Sequence, residues 1–323
     1  MRSTKSASEL STWLNDVDVV IGAQHLGSET PARAKRVLEA CPVGATKLLL
    51  RCTDIANLKF EILLSASGNV ASDDRNQLSW CEIAPQLKQY LDAVCTSKNK
   101  QELKVVVDLT DADWEVGFFV LPSLYGNSDL EVICAFTSPD KYPQADTSKA
   151  HPPVDTHSIR QPPGWIAALH SAGNGPRHVL FLGFDNDRAQ KFIEHYDWVR
   201  ACCIAVIGDP AYVGNGVRNS ESANALLLKQ IPNTIENRRK VPAASPLDTM
   251  NLLLELFKQH GALNIMLLGT SPMTLGAVWF YLQLTDEQKA NVRFLHDFPL
   301  RQTGRTTGVG QTWLYPKPNA WGG

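Results

Sequence analysis

The stretch LNIMLLGTSPMTLGAVWFYL, Leu263–Leu282, decides the fold. Its opening run, LNIMLL, is short and, apart from Asn264, apolar on both sides of a pleat, as a strand buried on both faces must be. The chain then passes through Gly269, Thr270 and Ser271 to Pro272. Proline suits the first turn of a helix, and Thr270 or Ser271 can cap it. An apolar run from Leu275 continues the helix. Strand, short polar turn and helix together form the repeating unit of an α/β protein with a parallel sheet.

Working outward, the same alternation recurs on both sides. Val17–Ala23, Thr46–Cys52, Lys59–Ala66, Leu103–Thr110 and Leu130–Thr137 read as strands, with helical patterns between several of them. A Pro-, Ser- and Asp-rich stretch from Ser138 to Trp165 has no periodicity and reads as a linker. Beyond it, RHVLFLGF, ACCIAVIG, LNIMLLGT and VRFLHDF read as further strands. A chain of 323 residues exceeds what one core usually holds, roughly 250–300 residues. The expected fold is therefore α/β: two Rossmann-like three-layer halves, 1–145 and 166–323, with mainly parallel sheets and a linker at 146–165. VDVVIGA aligns with RHVLFLGF, and LKVVVDLT with LNIMLLGT, which reads either as an internal duplication or as chance agreement of two α/β halves. The cleft between two such halves is the default ligand site.

Composition narrows the function. A net charge of −2 gives no general attraction for nucleic acid or an anionic membrane, so direct nucleic-acid binding is not expected. Seven cysteines form no CxxC pair and read as buried thiols of a reduced, cytoplasmic protein. Neither a secretory signal nor a membrane-spanning run is expected. The eight histidines make no metal-binding spacing, so no metal site is expected from them.

Four places can carry chemistry. In the Gly269–Met273 turn, backbone N–H groups and a helix N-terminus suit an anion. The loop HDFPLRQTGRTTGVGQTWLYP, from His296 to Pro316, is neither a Walker A motif nor a dinucleotide fingerprint. Its Arg301 and Arg305 offer forked donors, and its glycines allow close approach to a phosphate. Two acid–arginine turns, Glu29 with Arg33 and Asp185 with Arg188, can either complement a helix dipole or bracket a ligand. The loop after ACCIAVIG carries Asp209 at a strand end. Were the protein an enzyme, Asp185, Asp187, Asp209 and His296 would be its acids and bases, and Asp185 with Asp187 could take Mg²⁺.

The segment LNIMLLGTSPMTLGAVWFYL also resembles the strand–turn–helix of CARF-type Rossmann sensor domains of prokaryotic antiviral systems. Ser271 stands where that family usually has lysine. The resemblance implies that Gly269, Thr270, Ser271 and Met273 contact the phosphates of a cyclic oligonucleotide. Together these features give three expectations. The first is a sensor of a nucleotide or other phosphate-bearing ligand that signals to a partner protein or as a homodimer. The second is a nucleotide hydrolase or transferase, and the third a structural subunit that uses VGFFVLPSLY or LGAVWFYLQL as an interface.

Overall fold

The computed structural model describes residues 1–23, 31–54, 57–65, 77–110, 112, 116–141, 159–165, 167, 175–184, 186–297 and 306–318. The chain divides into two compact units, Met1–Pro143 with Gln302–Gly323, and Gln144–Arg301.

In the first unit, eight strands make one sheet. They are β1 (Arg2–Thr4), β2 (Val19–Ala23), β3 (Thr46–Asp54), β4 (Lys59–Ser65), β5 (Leu78–Ser79), β6 (Leu103–Asp108), β7 (Leu130–Thr137) and the last strand described, β13 (Thr312–Pro316). Their order is β1-β13-β7-β6-β2-β3-β4-β5. Helices α1 (Ala7–Trp13), α2 (Pro31–Ala40), α3 (Ile83–Lys98) and α4 (Leu121–Tyr125) accompany them, α4 being entered through a π-helical turn at Val116–Val120. Only the centre, β7-β6-β2-β3, is parallel. The expected parallel pairing holds at this centre and through the second unit's sheet, and the rims of the first sheet are antiparallel. β4 runs antiparallel to β3, because a connection this short cannot make the crossover that parallel strands need.

The tail also departs from the expected boundary. Instead of closing the second half, β13 pairs antiparallel with β7 and carries β1 on its other side. Thr307 exchanges backbone hydrogen bonds with Lys141. Gly308 adopts φ +74°, which favours glycine, and Gly310 lies so close to Ser138 and Pro139 that no side chain fits. These two glycines of the expected phosphate loop therefore fasten the tail to the end of β7.

The second unit contains β8 (Arg177–Leu182), α5 (Asn186–His195), β9 (Cys203–Gly208), α6 (Gly216–Ala223), α7 (Ala225–Gln230), β10 (Arg238–Val241), α8 (Pro246–His260), β11 (Leu263–Leu267), α9 (Ser271–Leu282), α10 (Asp286–Lys289) and β12 (Val292–Leu295). Its sheet has the order β10-β9-β8-β11-β12, parallel throughout. Counted from its own first strand, that is the 3-2-1-4-5 arrangement of doubly wound sheets. The first unit repeats this order in β4-β3-β2-β6-β7. Strands that align by sequence, β2 with β8 and β6 with β11, hold the same places. The described end of the expected linker belongs to the second unit. Arg160 exchanges backbone hydrogen bonds with His296, and Trp165 stacks on Tyr281 at 4.1 Å.

Helix α9 forms as its sequence requires. The Thr270 hydroxyl accepts from the Met273 amide and Pro272 sits in the first turn. Residues from Leu275 to Phe280 are all buried, so this part of LGAVWFYLQL belongs to the core, while Tyr281, Leu282 and Gln283 are half-buried. Val116–Leu121 is likewise buried. Where α9 crosses α8, a Cβ on Gly276 would stand 2.7 Å from Thr249 Cβ and closer still to the Pro246 carbonyl oxygen. Among the described residues, no helix is long and apolar enough to cross a membrane.

Candidate functional site

In the second sheet, connections leave β8 toward β9 on one side, and β11 begins the other side. Doubly wound folds take their ligands at the carboxyl ends of the strands beside such a reversal. Gly183 follows β8 there, Asp209 follows β9, Ala243 follows β10, Gly269–Ser271 follows β11, and His296–Asp297 follows β12.

The strongest interaction at this edge is an ion pair that local sequence did not announce. Arg188, on α5, donates from Nε and Nη2 to the two oxygens of Asp297, both at 2.6 Å. Asp297 is only 1% exposed. Burial pushes its carboxyl up, but the hydrogen bonds and charge of Arg188 outweigh this and hold it below the ordinary 3.8. The pair spans from the helix after β8 to the end of β12, with β11 between them in the sheet. Arg188 was expected to pair one turn back or to reach a ligand. Its guanidinium instead braces the edge.

The Gly269–Met273 turn is as tightly engaged. Thr270 Oγ1 donates to the Ala243 carbonyl at 2.7 Å while accepting from the Met273 amide. Pro272 has no N–H to offer. Met273 is buried, and its sulfur lies where a Cβ on Gly269 would fall, so it packs under the edge and is not presented to a ligand. Gly269 and Ser271 remain partly exposed.

Asp209 ends β9 and precedes a cis peptide to Pro210. Its carboxylate lies 3.0 Å from Lys240 Nζ, and Lys240 also reaches Glu221 at 3.4 Å. The Asp209 hydrogen bond is the main cause holding the Lys240 amine above its usual value. His296 is buried, with its backbone held by Arg160. Arg33 lies on α2 in the first unit. Glu29, Asp185, Arg301, Arg305 and the Asp187 side chain lie outside the described residues. No family model, curated protein or solved structure matches the chain.

Two polar residues, Ser220 and Asn224, shape the edge further. The segment SESANALLLKQI reads as one helix capped near Ser220, but it breaks at Asn224 and its first helix begins at Gly216. Ser220 Oγ and Asn224 Nδ2 both donate to the Gly183 carbonyl, at 3.0 and 2.9 Å, and so tie α6 and α7 to the end of β8. Asn224 is fully buried and its Oδ1 accepts no hydrogen bond. Among the described residues, no group of three histidine, cysteine or acidic side chains could hold a metal ion. Cys41, Cys134 and Cys203 are buried thiols, each pushed up to about 12 by burial, whereas Cys81 is exposed.

At the opposite, amino end of the sheet, three strands share a polar network. His178 Nδ1 accepts from Asn264 Nδ2 at 3.0 Å, and Asn264 Oδ1 accepts from Arg293 Nε at 3.0 Å. The imidazole also stacks on Trp198 at 4.2 Å. Burial, aided by Arg293 and Arg177, pushes His178 down from 6.5 to about 4. A depressed folded value means that the unfolded chain binds the proton first. Stability is therefore full above pH 6.5 and is lost as pH falls toward 4, by about 3 kcal/mol in all. Urea unfolding at pH 7 and pH 4.5 should show this loss, and His178→Gln should flatten the slope in that window.

Proposed function

We propose that the second unit binds a nucleotide, or a related phosphate-bearing ligand, at the carboxyl edge of its sheet and acts as a sensor. The observation that carries this reading is the all-parallel 3-2-1-4-5 sheet with a carboxylate, Asp209, at the end of its second strand. In sheets of this order the phosphate lies at the start of the helix after the first strand. An acid at the end of the second strand takes the ribose hydroxyls. Here those places are the start of α5 and Asp209. The partly exposed backbone at Gly269 and Ser271 flanks the same reversal point. The resemblance of that turn to CARF-type domains supports an oligonucleotide-like phosphate ligand and a role in antiviral defence.

A binding role is favoured over a hydrolase or transferase because the described acid–base candidates are engaged: Asp209 with Lys240, and His296 buried beside the Arg188–Asp297 pair. Thermal shift against mono-, di- and cyclic nucleotides, with and without Mg²⁺, tests the reading. A ribonucleotide should raise Tm by mass action and remain chemically unchanged. Asp209→Ala should weaken it by about tenfold to a hundredfold, while a 2′,3′-dideoxy analogue should bind wild type and variant alike. Turnover of the nucleotide would favour the enzyme, and no shift with any phosphate ligand would leave the structural subunit.

A further inference from the structure

The sheet face that carries α6 and α7 is only half covered. Ser220 and Asn224 hold those helices toward β8, so the β10 side of the face stays open. On the opposite face α8 covers β10, and Glu255 receives both hydrogen bonds from Arg239. The uncovered side is a groove of about 450 Å³, within the size range of small-molecule sites. Its floor consists of Ala205 and Ile207 of β9 beside Arg238 and Lys240 of β10. Parallel register sets Ala205 against Arg238 and Ile207 against Lys240 on one face. Its wall is Ala225, Leu228 and Lys229 of α7.

The charges in the groove do not balance. Lys240 is matched by Asp209 and Glu221. Arg238 donates from Nη2 to the Leu228 and Ile231 carbonyls at the end of α7. Among the described residues, neither Arg238 nor Lys229 has a carboxylate partner. Glu221 also lines the groove and shares Lys240 with Asp209, so Lys229, Arg238 and Lys240 meet two carboxylates, and one positive charge is in excess beside a floor of small and aliphatic side chains. Among the described residues that line the groove, none is aromatic and able to stack a base.

We propose that this groove binds a small amphiphilic organic anion. Lys229 and Arg238 hold its phosphate or carboxylate head, and Ala205, Ile207, Ala225 and Leu228 receive its aliphatic body. This groove lies on the β9–β10 side of the sheet and adjoins the nucleotide site through the Lys240–Asp209 pair, but the proposal does not rest on the nucleotide reading.

Calorimetric titration of the full chain with octyl phosphate, octanoate, octyl glucoside and inorganic phosphate, all below micelle-forming concentrations, tests it. Saturable binding at one site is expected for octyl phosphate or octanoate, and the stronger of the two identifies the head group. The neutral glucoside and bare phosphate should bind at least about tenfold more weakly, since each lacks one half of the interaction. Lys229→Glu should weaken the anion by about tenfold or more through charge reversal. Ala225→Trp, a substitution at an exposed position, should abolish binding by filling the groove, with Tm unchanged. Binding that survives Ala225→Trp, equal binding of the glucoside, or no saturable heat with either anion overturns the proposal. None of these variants alters the start of α5 or Asp209, so nucleotide binding should persist in them.

Discussion

Arg188→Ala is expected to destabilise the second unit by about 3–5 kcal/mol, because it leaves the Asp297 carboxylate buried without its partner. The loss is large because Asp297 is held ionised chiefly by this guanidinium, through two short hydrogen bonds, with smaller help from His296 and a backbone hydrogen bond. Two controls separate a lost attraction from a stranded charge. Arg188→Met combined with Asp297→Leu should recover most of the stability, since a buried pair replaced by apolar side chains is often neutral. The deficit of Arg188→Ala alone should also shrink as pH falls toward 3.8 and below, because burial without Arg188 raises the stranded carboxyl, which then takes up a proton in the folded chain before the unfolded chain does. Urea unfolding followed by tryptophan fluorescence would measure all three. A loss under 1 kcal/mol would mean that the pair is solvated and braces nothing.

Gly276→Ala has the second largest expected effect, about 3 kcal/mol, by overpacking the α8–α9 crossing. The new methyl would overlap the Pro246 carbonyl and Thr249 Cβ, and these atoms belong to a helix start and a buried side chain that cannot rotate away. α9 must then shift from α8, and its N-terminus carries Gly269 and Thr270 with it. A lowered Tm together with weaker nucleotide binding is the expected result. An unchanged Tm would show that α8 and α9 pack less tightly than these distances require.

Much of this architecture was legible in the residues. Unbroken apolar strands separated by helical patterns gave the α/β class, and the alignment of LKVVVDLT with LNIMLLGT paired β6 with β11, which hold equivalent places. The antiparallel β3–β4 pairing was not anticipated, although residues 55–58 are too few for a crossover. Nor was the destination of the tail, since TWLYP has the pattern of any half-buried strand and only long-range pairing places it beside β7. The site was less legible still. Arg188 and Asp297 are 109 residues apart, and no local pattern announces their pairing. Asn224 looked like an ordinary helical residue until its amide was seen to bind the Gly183 carbonyl. Met273 suited a ligand turn by position, yet its apolar side chain is drawn under the sheet edge.

Hydrogen exchange of the full chain, with and without a saturating nucleotide, tests the central claim most directly. The account predicts slowed exchange at Gly183, the first turn of α5, and Gly208–Asp209, with smaller protection at Gly269–Ser271. A nucleotide that binds yet leaves these amides unchanged, or protects only segments of the first unit, would contradict it.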